Sequence, residues 1–171
     1  LLKVLGVGNK YRLAVLGSDK RGTAYGLMTL VRMMGVSPWQ WWADCEPTPR
    51  EVFQLEADFE RLEVPSVAYR GIFINDEDWG LNPWSSNNYE PKMRQRNGED
   101  STPRNGEIGP YTHERIFELL LRLRANIFWP AMHECTVPFY LIKGNKEVAD
   151  KYGILISTSH CEPMMRNTNG E

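Results

Sequence analysis

The chain is poor in the residues that usually announce a metal centre or a disulfide scaffold. In 171 residues it has three cysteines (Cys45, Cys135 and Cys161) and three histidines. No two cysteines stand in C-x-x-C spacing, which excludes a zinc ribbon or a small disulfide-knit domain. Charge of one sign is lacking too. The formal net charge is only −2, so nothing electrostatic points to nucleic acid or an anionic membrane as a partner. Apolar runs stop well short of the ~20 residues a bilayer-spanning helix needs. Nucleotide fingerprints are absent: Gly6-x-Gly8 is too short, and Gly17 to Gly22 is not followed by Lys-Ser/Thr. No initiator Met or signal segment precedes Leu1, and Glu171 comes soon after a strand-to-loop junction. A piece of a longer polypeptide is therefore expected.

What is present is 42% hydrophobic and 25% charged residues, the balance of a folded globular chain, and a repeated pattern. Tyr11 to Leu16 alternates as a strand. A turn follows with Ser18 or Asp19 as helix cap, then a helix over Ala24 to Met34 with Leu27, Leu30, Val31 and Met34 on one stripe, stopped by Gly35. Val52 to Phe59 reads as another alternating strand. Residues 1–63 are thus expected to form the C-terminal part of a small α/β domain.

Pro65 breaks that pattern, and over 64–171 a different one is written three times: a buried strand, a polar cluster at its carboxyl end, then a helix or chain end. The strands are Tyr69 to Ile74, Ile127 to Trp129 and Ile154 to Ile156. One helix opens at Thr112 or His113 with Ile116, Leu119, Leu120 and Leu123 as its stripe. Another opens at Asn145 with Val148, Ala149 and Tyr152 on one side. Gly80 to Pro110 shows no convincing apolar period and reads as a polar connection. Parallel strands with helical crossovers satisfy this pattern, and ligands of such sheets sit at the carboxyl ends of the strands.

Those ends hold Asn75-Asp76-Glu77-Asp78, His133-Glu134 and His160-x-Glu162, whereas the opposite ends hold Arg70, Ala125 and Gly153. Glycoside hydrolysis commonly uses two carboxyl groups, so Asp76 and Glu77 are the candidate acids; the plain alternative is a capped loop start. Without HExxH or HxH spacing, His133, Glu134, His160 and Glu162 are read as hydrogen-bonding groups for sugar hydroxyls, and no metal or cofactor is assigned. Trp79, Trp84 and Trp129 are candidates for stacking on sugar rings, with core packing the alternative for Trp129. Cys135 or Cys161 as nucleophile is disfavoured, because sequence neighbours such as His160 and Cys161 rarely face one reacting atom.

Five stretches in order, GSDKRGTAYGL (Gly17–Leu27), GVSPWQWWAD (Gly35–Asp44), YRGIFINDED (Tyr69–Asp78), LRLRANIFWPAMHE (Leu121–Glu134) and ADKYGILISTSHCEPM (Ala149–Met164), resemble the family 115 glycoside hydrolases, the xylan α-glucuronidases. The resemblance implies an inverting, metal-free enzyme that removes glucuronic acid or 4-O-methylglucuronic acid from glucuronoxylan or its oligosaccharides. It implies an α/β fold in which 64–171 supplies the first three β/α units of a (β/α)8 TIM barrel. Asp76 and Glu77 would then lie in the uronosyl pocket, with His133, His160 and Glu162 beside them. At least one member of the acid–base pair is expected on a later strand, so this piece alone is expected to be inactive. Arg166 is the local candidate for the uronate carboxylate, which calls for a cationic partner. The resemblance also implies secretion or a periplasmic location, and allows a homodimer of the full-length protein. Two alternatives stand beside it: another TIM-barrel glycosidase such as a hexosaminidase, and a non-catalytic carbohydrate-binding fragment. The open parallel edge of three barrel strands weighs against the last.

Overall fold

A computed structural model describes residues 1–75 and 77–159, with the backbone but not the side chain of Glu77. The chain is mixed α/β and divides into two compact units. One comprises Leu1–Ala68 with Leu121–Ala125; the other runs from Tyr69 to Leu120 and resumes at Asn126.

In the first unit, β1 (Leu2–Val7) pairs antiparallel with β2 (Lys10–Val15) across a tight turn at Gly8, whose φ of +60° favours glycine. The other edge of β1 takes β3 (Glu60–Arg61), also antiparallel, giving the order β2-β1-β3. Helix α1 (Lys20–Met33) begins four residues earlier than its apolar stripe predicts. Its start is set by Asp19, whose carboxylate accepts from the Gly22 backbone N–H at 2.6 Å. Leu27 and Met34 of the expected stripe are exposed.

Val52 to Phe59 is not a strand. Only its last residue reaches the sheet, through Val4 N–H to Phe59 O at 2.9 Å, because β3 occupies the edge of β1 just beyond it. Residues 121–125 are fixed in this unit by Tyr25, whose hydroxyl donates to Ala125 O at 2.8 Å. Arg124 contributes too, pairing with Glu63 at 2.5 Å and reaching Thr29 Oγ1 at 3.2 Å.

The second unit is built on a three-stranded parallel sheet of order β4-β5-β6: β4 (Gly71–Phe73), β5 (Ile127–Trp129) and β6 (Leu155–Ile156). The register runs Gly71↔Ile127 to Phe73↔Trp129, and Ile127↔Leu155. The amino-terminal end is pinned by Asn126, whose side-chain oxygen accepts from Arg70 N–H at 2.9 Å while its own N–H donates to Arg70 O at 2.8 Å. A Cβ on Gly71 would lie 1.9 Å from Ile127 O, so only glycine lets β4 approach β5.

Helices α2 (Pro110–Arg122) and α3 (Asn145–Tyr152) return the chain to β5 and β6. Helix α2 buries Ile116, Phe117, Leu119 and Leu120, although Leu123, just past its end, is exposed. Phe117 stacks edge-on with Phe128 of β5 at 5.4 Å between ring centres, and His113 lies edge-on to Phe139 at 4.8 Å. Burying rings such as Phe117 and Phe128 contributes about 1.5–3 kcal/mol each.

The segment read as a polar connection is the largest departure. Residues 77–96 form a continuous helical run, wound wide (i→i+5) over Glu77–Leu81 and Ser85–Tyr89 and as α-helix over Asn82–Trp84 and Glu90–Arg96. Its buried face is polar: Asn82, Ser86, Glu90 and Arg94, at intervals of four. Hydrogen bonds tie this face to the chain that follows. Glu90 Oε1 accepts from Thr112 N–H at 2.6 Å and from the Thr112 hydroxyl at 2.8 Å; Arg94 pairs with Glu107 at 3.1 Å and donates to Thr102 O at 2.8 Å. A buried helix face held by hydrogen bonds rather than by apolar contact carries no hydrophobic period.

Candidate functional site

Because β4 and β5 are parallel, their carboxyl ends open on the same side of the sheet, and each reaches exposed polar chain within four residues. Beyond β4, Ile74 N–H still donates to Trp129 O at 3.0 Å, and Asn75 is exposed. The helical run then begins at Glu77, and its first wide turn carries Asp78 and Trp79, the latter 87% exposed. Wide turns of this kind recur at functional sites, since the extra residue re-aims the side chains around it.

Beyond β5, Pro130, Ala131 and Met132 dive into the core, and His133, Glu134 and Cys135 emerge on a turn closed by Thr136 N–H to His133 O at 2.9 Å. The turn is held from two sides. Asn82 Nδ2 donates to Cys135 O at 3.0 Å, and a Cβ on Gly106 (φ +81°) would press within 2.8 Å of that same oxygen.

The two strand ends meet at Asp78. Its Oδ1 lies 3.0 Å from His133 Nδ1 and also accepts from the Cys135 thiol. The thiol bond, reinforced by the bond and charge of His133, holds the Asp78 carboxyl below the usual carboxylate range although desolvation acts the other way. Partial burial, and then the bond to Asp78, push the Cys135 thiol up. Cys135 is therefore a proton donor to Asp78 and not an activated thiolate.

The aromatic candidates divide. Trp129 stacks on Phe73 at 4.3 Å between ring centres, which ties β5 to β4, and its indole Nε1 is buried with no hydrogen-bond partner among the described residues. Trp84 stacks on Tyr89 at 4.8 Å, with an interplanar angle of 11°, along the helical run. Trp79 keeps an exposed ring beside the strand ends.

Of the residues singled out in the sequence, Asn75, Trp79, Trp129, His133 and Glu134 lie in the segments that leave β4 and β5 or at their ends. Glu77 opens the helical run. Asp76, His160, Glu162 and Arg166 lie outside the described residues. The residues that sequence reasoning passed over are Asp78 as the hub, Cys135 as its second donor and Asn82 as the brace. A search for H-x-C as well as H-x-H spacing would have found the His133–Cys135 pair, but no spacing rule reaches Asp78, 55 residues earlier.

Carboxylate, imidazole and indole groups gathered where parallel strands exit define the layout of an α/β enzyme site. Residues 62–171 match the model of glycosyl hydrolase family 115, which spans more than half the chain, and the chain belongs to that family. It is also similar to a solved structure described as a family GH115 4-O-methyl-α-glucuronidase with specificity for decorated arabinogalactans. The identity is 56% over 96% of this chain, with a TM-score of 0.82. The chain spans 20% of the length of that structure. No curated protein matches it significantly.

Proposed function

We propose that these residues belong to an inverting α-glucuronidase that removes glucuronic acid or its 4-O-methyl ether from glucuronoxylan. The observation that carries the reading is the family match together with 56% identity to a 4-O-methyl-α-glucuronidase. The strand-end layout supports it: β4, β5 and β6 are parallel and lie side by side in chain order, as successive units of a (β/α)8 barrel would. In this reading Asp76 and Glu77, directly beyond β4, approach the scissile bond. Asn75, His133 and Glu134, with His160 and Glu162, hydrogen-bond the sugar hydroxyls; Trp79 stacks on a ring face, Trp129 flanks the pocket, and Arg166 meets the uronate carboxylate.

Inversion requires a protonated carboxyl at the leaving oxygen and an ionised one activating water on the opposite face, about 6.5–9.5 Å away. The first has to be held neutral by its surroundings, the second kept ionised. At least one of the pair stands on a later strand of the complete enzyme. Glucuronoxylan is too large to cross a membrane, which favours a secreted or periplasmic protein, and a homodimer of the full-length enzyme fits the reading.

The specificity of the similar structure for decorated arabinogalactans supports a second reading of the polysaccharide: the same uronic acid borne on an arabinogalactan chain. The test is kinetic. In the complete enzyme, Asp76→Asn or Glu77→Gln should nearly abolish kcat on glucuronoxylan with KM within a few-fold. Large losses in KM with kcat preserved would make both residues binding groups, and faster release from arabinogalactan would select the second polysaccharide. Release of a hexosamine in place of a uronic acid would defeat the proposal.

A further inference from the structure

Asp78, His133 and Cys135 offer a carboxylate oxygen, an imidazole nitrogen and a sulfur whose ligand atoms all lie within 4.8 Å of one another. Among the described residues they are the one group of three such side chains so gathered. We infer that this triad is a binding site for a single borderline-soft divalent ion of the Zn²⁺ class, with the fourth position open to water or a ligand.

The donor set is the first reason. Imidazole and thiolate together select Zn²⁺ over Mg²⁺ or Ca²⁺, which take oxygen ligands. Geometry is the second. Zn²⁺ ligands at about 2.0–2.3 Å stand roughly 3.3–3.8 Å apart in a tetrahedron. His133 Nδ1 is 3.0 Å from Asp78 Oδ1, and the Cys135 thiol also bonds that oxygen, so in the metal-free triad the carboxylate bridges the other two donors, which lie within 4.8 Å of each other and close in slightly around an ion.

The third reason is the mounting. The turn closed by Thr136 N–H to His133 O sets His133 and Cys135 two residues apart, and Asn82 fixes the Cys135 carbonyl, so outer groups hold two ligands in place. Thr136 Oγ1, 3.5 Å from the sulfur, is placed to bond the thiolate.

On binding, the S–H bond of Cys135 breaks and its proton leaves to solvent. The His133 proton that faces Asp78 is carried on Nε2 instead, which frees Nδ1 as the ligand. The inference shares His133 with the sugar site proposed above, and its test reads binding, not turnover.

The experiment is a titration of the complete, chelator-treated protein with Co²⁺ as optical probe and Zn²⁺ as competitor. The expected result is a thiolate-to-cobalt charge-transfer band that saturates at one ion per chain and is displaced by an equivalent of Zn²⁺. Cys135→Ser should abolish the band, while Cys45→Ser and Cys161→Ser keep it. His133→Ala and Asp78→Asn should each weaken binding by at least about tenfold, since even an outer-shell partner is worth about 10–100-fold. All three positions are exposed; circular dichroism of each variant separates a lost ligand from a lost fold, and His133→Ala and Asp78→Asn test the site if Cys135→Ser fails to fold. Absence of the band, its survival in Cys135→Ser, or binding unmoved in the folded variants would overturn the inference.

Discussion

His113 is the group through which acid should reach the core of the second unit. It is fully enclosed on α2 between Phe117, Phe128 and Phe139, and its Nδ1–H donates to Gly109 O at 3.0 Å. Burial among three rings lowers its pKa from the ordinary 6.5 to about 4, despite the opposing hydrogen bonds. The unfolded chain therefore takes up this proton near pH 6.5 and the native protein only near pH 4. The stability so contributed is complete above pH 6.5 and is lost as pH falls toward 4. At about 1.36 kcal/mol for each tenfold change in proton affinity, the loss is about 3 kcal/mol.

The perturbation is His113→Phe, which keeps a ring in the slot and the His113 N–H to Gly109 O bond at 3.1 Å while removing the proton site. Its own cost, about 1 kcal/mol for the lost side-chain bond, does not vary with pH. Urea unfolding of both proteins at several pH values between 7 and 4 gives the difference in stability. It should move by about 3 kcal/mol in favour of the variant toward pH 4, and NMR should show the His113 ring neutral at pH 5. A stability difference flat across that range, or a His113 pKa near 6.5, would refute the reasoning.

Glu90 should behave oppositely. Burial raises its pKa, so its share of stability falls as pH rises above 4.5 through the raised native value, and Glu90→Gln should flatten the melting temperature in that window. Phe117→Ala should cost about 3–5 kcal/mol in denaturant unfolding, because a fully buried ring leaves a cavity against Phe128. Glu107→Ala should cost about 3 kcal/mol by leaving the buried Arg94 without its carboxylate; a loss below about 0.5 kcal/mol would mean the pair is solvated. Gly71→Ala should cost at least about 1–3 kcal/mol by forcing β4 off β5, read as a lower melting temperature.

What was legible in the sequence is what apolar contrast writes. Strand β5 is an isolated Ile-Phe-Trp between Asn126 and Pro130 and was readable to the residue. Helix α3 ends at Gly153, in a left-handed cap with φ +65°. The helical run 77–96 was hidden because its period is carried by Asn82, Ser86, Glu90 and Arg94. The pattern of strand β1 is broken by Gly6 and lacks the apolar contrast of β5, and Val52 to Phe59 has the alternation of a strand but meets β1 only through Phe59, with β3 paired to β1 just beyond it. The polar strand ends were visible as composition. The convergence of Asp78 on His133 and Cys135 was not, since it depends on how β4 and β5 register.

The most direct test of the central claim is the stereochemistry of the product. The complete protein is mixed with glucuronoxylan bearing α-linked 4-O-methylglucuronic acid, and the freshly released sugar is followed by proton NMR. The account predicts free 4-O-methylglucuronic acid appearing first as the β-anomer, before it equilibrates. First appearance as the α-anomer would contradict inversion, and no uronic acid released from either glucuronoxylan or arabinogalactan would contradict the α-glucuronidase assignment itself.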